Sequence, residues 1–385
     1  LDEIDAIQLA SRKLQAVPVG QSFVLHSAAS GCIVITNALG IGVLEQIKSG
    51  VSASDIVDQL TDLDDISSTN KRTYSKVVLD IIDTWRIAGL FETKPAPFPS
   101  PAKEKPDVVT RGISFSAPGG RFVVELDSEI LSDELKQILA CCHPKQSNAP
   151  ASEVFRCVAD AQDGFALSLN GTPIWSRTDR DEARFLLLKE AAQVLCNPAE
   201  VGAVLHGAAV LGPNERAMLF IAESGSGKST LSQGLVAQGF GFLADDHIPL
   251  SVDGQSVFSF PTAAAAKSGA ICLPEIDQLV ALHGEPGSAR ENVTYLSLPA
   301  GASLGAKADI GAVIVPEYSE NGTFELQSMS PEEAFSACIV SGARPCRRDP
   351  QIRPLASLCN LVPFYKLRYS SSEQSIPACM DLMMK

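Results

Sequence analysis

An apolar run, Ala217-Met218-Leu219-Phe220-Ile221, leads through Ala222-Glu223-Ser224-Gly225-Ser226-Gly227 into Lys228-Ser229-Thr230-Leu231, where a helical pattern begins. Small residues between a strand and a helix let consecutive backbone N–H groups turn inward, and the helix N-terminus adds positive potential where phosphate oxygens would lie. Ser224, Gly225, Ser226, Gly227, Lys228, Ser229 and Thr230 are therefore the candidate cradle for a nucleoside triphosphate. Lys228 would reach the β- and γ-phosphates, and the Ser229 hydroxyl would face Mg²⁺, which prefers oxygen ligands. Ala222 stands where the phosphate-loop pattern asks for glycine, so the loop entry must tolerate a Cβ. The plain alternative is a glycine-rich strand-to-helix turn with no ligand.

A second apolar run, Phe240-Gly241-Phe242-Leu243-Ala244, ends in Asp245-Asp246, the latter seventeen residues past Ser229. In phosphate-loop folds the strand beside the loop delivers a carboxylate to the metal. If the strand ends at Asp245, that side chain meets Mg²⁺ and Asp246 faces the acceptor, taking the hydroxyl proton during in-line attack on the γ-phosphorus. A solvated acidic turn is the structural alternative. Arg344, Arg347 and Arg348 form a local basic cluster, suited to developing phosphoryl charge or to an acidic substrate segment, or simply to an exposed loop.

Positioning these residues requires several elements. Ser22–His26 and Cys32–Thr36 read as a hairpin, Asn37 as a helix cap, Ser52-Ala53-Ser54-Asp55 as a second capping signal, and Val77, Val78, Ile81, Ile82 and Trp85 as a third helix closed by Gly89. Thr93–Asp107 carries five prolines and reads as a linker able to hold two domains some tens of Å apart. Strands are expected at Ile113–Ser116, Arg121–Leu126, Val154–Val158, Phe165–Leu169 and Thr172–Ser176, with helices at Leu131–Cys141 and Asp181–Leu195. Gly311–Pro316 reads as a core strand. The expected division is 1–92 first module, 93–109 linker, 110–200 α+β lobe and 201–385 phosphate-loop core.

Composition agrees with an ordinary globular chain: 385 residues, 45% hydrophobic and 20% charged, with 31 basic against 45 acidic residues and a net charge of −14. Binding to nucleic acid or an anionic membrane has no electrostatic basis at that charge. With no basic-then-apolar start and no long apolar stretch, a cytoplasmic location is expected. The ten cysteines form no C-x-x-C pair, so buried thiols are expected rather than zinc or disulfides.

His206-Gly207, then Glu223–Ser229, then Ala244-Asp245-Asp246 resemble, in order and nearly in spacing, the motifs of HPr kinase/phosphorylase, a family related in fold to phosphoenolpyruvate carboxykinase. The tail Val362–Tyr369, with Pro331-Glu332-Glu333-Ala334 upstream, is similar to HPr-kinase-like enzymes of ribosomal peptide clusters, such as lasso-peptide precursor kinases. A hairpin followed by three helices resembles the PqqD-like winged-helix domains that hold a precursor's leader as an added strand. The implied fold is thus mixed α/β and α+β, a phosphate-loop core preceded by a small winged-helix domain. The resemblance implies Lys228 and Asp246 as catalytic residues, His206 as an active-site histidine, Lys267 as a cation near the nucleotide, and Ser229 with Asp245 at the metal. It further implies ATP or GTP with Mg²⁺, and a Ser/Thr hydroxyl of a ribosomally made precursor peptide as acceptor. The family's second metal-binding glutamate has only Glu275 as a weak stand-in, so kinase activity alone is expected. The alternatives are a kinase of another protein or a small metabolite, or a nucleotide-gated peptide-binding module. A homo-oligomer stays open.

Overall fold

A computed structural model describes residues 3–52, 55, 56, 58, 68–92, 111–142, 152–159, 164–177, 179–285 and 292–384. The expected linker at 93–109 lies outside the described residues. The first module comprises α1 (Glu3–Ser11), β1 (Gln15–Val19), β2 (Ser22–His26), β3 (Ile33–Thr36), α2 (Ala38–Lys48) and α3 (Ser68–Ile87). The hairpin is one strand larger than expected: β1, β2 and β3 make an antiparallel sheet in that order. Pro18 argues against a strand at β1, yet an edge position tolerates its missing N–H. Asn37 caps α2, its side-chain oxygen accepting from the Gly40 amide at 3.0 Å. Most of the expected second helix falls outside the described residues, although the Ser52 hydroxyl accepts from the Asp55 amide at 3.2 Å. On α3, Val78 and Trp85 are buried but Val77 is 38% exposed, because it lies about 100° off their stripe. Gly89 takes the left-handed conformation that closes the helix, with φ +80°.

The lobe contains β4 (Arg111–Ala117), β5 (Gly120–Leu126), α4 (Glu129–Leu139), β6 (Glu153–Ala159), β7 (Phe165–Leu169), β8 (Thr172–Arg177) and α5 (Arg180–Leu195). Its five strands lie in chain order, antiparallel except for the β5–β6 pair. Buried Glu134 of α4 accepts from Arg184 of α5 at 2.5 Å and from the Tyr295 hydroxyl at 2.7 Å, which locks the two helices together.

The core runs through β9 (Val201–Leu211), β10 (Ala217–Ile221), α6 (Lys228–Ala237), β11 (Gly241–Ser251), β12 (Ser256–Phe258), β13 (Ala264–Lys267), α7 (Ser268–Ile271), α8 (Pro274–His283), β14 (Val293–Leu296) and β15 (Lys307–Tyr318). It ends with β16 (Glu325–Ser328), α9 (Pro331–Val340), β17 (Arg344–Pro345), α10 (Arg353–Leu361), β18 (Phe364–Tyr369) and α11 (Ser372–Met384). Strand β10 lies between β15, parallel to it, and β9, antiparallel to it; β11 pairs on the far side of β9. Ala217, Leu219 and Ile221 join one hydrophobic cluster and Met218 and Phe220 another. A strand buried on both faces reads as a continuous apolar run, which is why this one was legible.

The first module does not stand off from the core. Val19 and Val24 belong to the same buried cluster as the lobe and β9. The Gln15 side chain donates to the Pro350 carbonyl and accepts from the Ile352 amide, both at 2.9 Å. Asn360 accepts from Gly20 and donates to the Pro18 carbonyl, again at 2.9 Å. Whatever reach residues 93–109 allow, β1 and the β1–β2 turn dock on α9 and α10. No helix among the described residues is long and apolar enough to cross a membrane.

Candidate functional site

Three strands bring the candidate residues to one level of the sheet. Ile221, the last residue of β10, pairs with Gly207 of β9, and Gly207 pairs with Asp246 of β11. Asp246 is therefore two strand spacings, roughly 10 Å, from the residue that precedes the loop. The expectation that β11 neighbours β10 is corrected, since β9 runs between them. So is its end: β11 continues through Asp245 and Asp246 to Ser251. Gly207 is required by this packing, because a Cβ there would lie 2.2 Å from the Phe220 carbonyl oxygen.

The loop turns from Ala222 to Gly227 into α6, whose N-cap, Gly227, has φ +97° and ψ +9°. A Cβ on Gly227 would also meet the Tyr369 hydroxyl at 1.9 Å. Position 227 thus excludes side chains twice over, by conformation and by contact. Lys228 is buried, and its ammonium donates to the Ala222 and Glu223 carbonyls at 2.8 Å each, across the loop's own mouth. Burial lowers its pKa and Lys267 adds to that, against the opposing charges of Asp246 and Asp245. The Ser226 hydroxyl is buried without a hydrogen-bond partner among the described residues, an orphan that a phosphate oxygen would satisfy. Ser224 and Gly225 are exposed at the loop's tip, and Thr230 follows within the first turn of α6. A cleft of about 940 Å³ opens beside the loop, walled by residues 222–226, by Tyr318 and Tyr369, and by Lys366 and Arg368. That volume suits a nucleotide.

Ser229 and Asp245 meet: the hydroxyl donates to the carboxylate Oδ1 at 3.0 Å. Asp245 is buried and also accepts from the Ala265 amide at 3.2 Å. Burial, then the charge of Asp246, pushes its pKa well above the usual carboxylate range, against the hydrogen bonds that favour the ion. A dry carboxylate beside a hydroxyl is a fitting pair of ligands for a hard cation that draws its other oxygens from phosphate and water. Glu275 lies in the first turn of α8, and among the described residues no group of three or more His, Cys, Asp or Glu is placed to hold a metal ion by itself.

Asp246 itself is exposed and has φ +65° inside a strand. The other non-glycine residues with such φ values, Asn170, Glu215 and Asn292, lie in turns. Left-handed backbone at an aspartate costs about 1–2 kcal/mol, and strain of this kind clusters at functional sites. His206, opposite His247 in the ladder, is hydrogen-bonded through Nδ1 to the Asp246 carbonyl at 3.1 Å. A carbonyl only accepts, so Nδ1 carries the proton and the neutral ring keeps Nε2 as a free acceptor. Burial lowers the His206 pKa, and nearby Lys228 and Lys189 lower it further while Asp246 opposes them. Phe185 of α5 packs against both histidine rings, centroids 5.3 Å from His206 and 4.5 Å from His247. Lys267 ends β13 and lies close enough to Lys228 to depress it.

The arginine cluster is not one site. Arg347 pairs with Glu190 at 3.2 Å and Arg348 with Glu153, whereas exposed Arg344 pairs through its backbone with Val204 of the histidines' strand. No functional role is legible in the sequence for Tyr369, Phe185 or Lys189. Tyr369 stands within the quoted tail motif, while the other two carry no local signal beyond four-residue spacing on one helix.

No protein-family model matches the sequence, and no curated protein does. Among solved structures the chain is similar to the Hpr(Ser) kinase/phosphatase from Coxiella burnetii, with 12% identity, 47% of this chain and 93% of that chain covered, and a TM-score of 0.23. A superposition that poor carries neither fold nor activity, so the chemistry has to be argued from the geometry around residues 206, 228, 229, 245 and 246.

Proposed function

We propose that the protein is a phosphotransferase that moves the γ-phosphoryl group of Mg²⁺-bound ATP or GTP to a Ser or Thr hydroxyl of a ribosomally made precursor peptide. The observation that supports it most is the row Ile221–Gly207–Asp246 together with the 3.0 Å contact of Ser229 and Asp245. The loop that would cradle phosphate, a metal-competent hydroxyl–carboxylate pair and a strained aspartate meet at one level of the sheet. A mere nucleotide-binding module needs no such base.

In the proposed reaction the loop amides, the Ser226 hydroxyl and Lys228 hold the triphosphate, with Lys267 as additional positive charge. Ser229 and Asp245 would hold Mg²⁺, which offsets phosphate charge. The acceptor oxygen attacks the γ-phosphorus, its proton passes to the Asp246 carboxylate, and the bond to the β–γ bridging oxygen breaks to release the nucleoside diphosphate. His206 fixes the Asp246 backbone through Nδ1 and presents Nε2 to the reacting groups.

The peptide assignment draws on the first module. Strand β3 is a free edge of its sheet among the described residues, and Ile35 on it is 40% exposed. A cleft of about 520 Å³ between β3 and β16 is lined by Ile35, Ser22, Glu332 and Lys366. It shares Met329, Ser336 and Lys366 with the cleft beside the loop. An extended peptide added to β3 would therefore lead toward the phosphates. The test is label transfer from [γ-³²P]ATP with Mg²⁺ to a candidate precursor. Labelled peptide with the wild type and none with Asp246→Asn is the expected result; undiminished transfer by that variant removes Asp246 as the base.

A further inference from the structure

Among the described residues, two cations near the histidines have no carboxylate partner. Lys189 is half-buried on α5, one helical turn beyond Phe185 and so on the same face, the one that packs on His206 and His247. Arg344 of β17 lies opposite Val204, two residues from His206 and therefore on the same face of β9. Its Nη1 donates to the Ile339 and Ala343 carbonyls at 3.0 and 2.7 Å, which anchors the guanidinium by backbone alone. Among the described residues no carboxylate lies within ion-pair distance of either cation, although the neighbouring guanidiniums are matched: Arg184 to Glu134 and Asp181, Arg347 to Glu190, Arg348 to Glu153. In a chain with 45 acidic residues against 31 basic ones, an unmatched and desolvated cation such as Lys189 is costly unless an anion arrives, while Arg344 is exposed and open to one. The two are close enough that Arg344 depresses the Lys189 pKa after burial does, and Lys189 in turn acts on His206.

We propose that Lys189, Arg344 and His206 form a subsite for a phosphate dianion on the acceptor side of the phosphate loop, where the phosphoryl group rests once it is on the product hydroxyl. It rests on the phosphotransferase reading above and adds to it a second anion site, distinct from the loop. Two cationic groups match a dianion, the guanidinium can donate to two oxygens, and the arriving negative charge would favour protonation of the otherwise neutral His206 ring, so that Nε2 donates to the third. His206 feels both Lys228 and Lys189, which puts it at the junction of the donor and acceptor sites.

The test titrates the full chain, saturated with Mg²⁺ and ADP, with inorganic phosphate and, in a second arm, with O-phosphoserine, by calorimetry. The wild type is expected to bind both. Lys189→Met and Arg344→Met should each weaken both ligands tenfold or more while ADP affinity stays within twofold, and Lys189→Arg should restore most of the loss. Melting temperatures of the variants check that folding is intact. Phosphate binding undiminished in both Met variants overturns the subsite, and so does binding of inorganic phosphate with none of phosphoserine, since the acceptor side must take an ester. Failure of the wild type to bind ADP would sink the phosphotransferase reading instead.

Discussion

Asp246 is the residue whose backbone and side chain make separable demands. Its φ of +65° inside a strand tolerates asparagine nearly as well as aspartate. Asp246→Asn should therefore melt with the wild type while transfer falls by roughly 10²–10⁴, the usual worth of a positioned base. Asp246→Ala should lose the same activity and also about 1 kcal/mol of stability, because alanine has no local hydrogen bond to offset left-handed backbone. Single-turnover transfer and thermal melts distinguish the two effects; an Asn variant that transfers normally would move the base to Nε2 of His206. Lys228 belongs to the same scale. Its ammonium spans the loop mouth to two carbonyls, so Lys228→Met should remove triphosphate affinity without exposing apolar surface.

At the scale of elements, the loop and the module sheet each carry a distinct vulnerability. Gly227→Ala should lower nucleotide affinity more than tenfold, as both the φ of +97° and the Tyr369 hydroxyl oppose a Cβ, each costing about 1–3 kcal/mol. Tyr369→Phe should rescue it only in part, since removing the hydroxyl leaves the backbone strain. In β2, His26 is 2% exposed with Nδ1 unpartnered among the described residues, and burial lowers its pKa from 6.5. The unfolded chain then takes up a proton before the folded one does, so stability should fall as pH drops below about 6.5. The loss should be smaller in His26→Leu, compared by chemical denaturation at pH 7.5 and 5.5. What was legible in the sequence follows the same physics. Strand β10 was clear because both faces are buried, and β7 because Phe165–Leu169 lies between turn signals. The neighbour relations of β9, β10 and β11 were not, since which strands pair depends on contacts far apart in the chain. Asp245 and Asp246 were found as a pair, but their separation into a buried and an exposed carboxylate depends on the left-handed residue, which no local pattern announces. Lys189 and Arg344 are 155 residues apart and meet only through the sheet.

For the whole molecule, the decisive fact is that the first module shares a face with the body that carries the phosphate-loop candidate. One side of its sheet, with Leu25, packs on α2 and α3, and the other, with Val19 and Val24, completes the main core. Removing residues 1–92 would expose that core and strand the side chain of Asn360, which bonds the β1–β2 turn. Truncation should thus cost stability everywhere and cannot separate recognition from folding. A point change on β3 can. Ile35 pairs with Val24 and turns to the cleft, but at 40% exposure its replacement gives up little burial. If a precursor docks along β3, Ile35→Arg should raise KM for the peptide at least tenfold, with kcat and acceptor-free NTP hydrolysis near wild type. Equal KM values would assign the module to assembly and leave the acceptor to be sought at the phosphate loop alone.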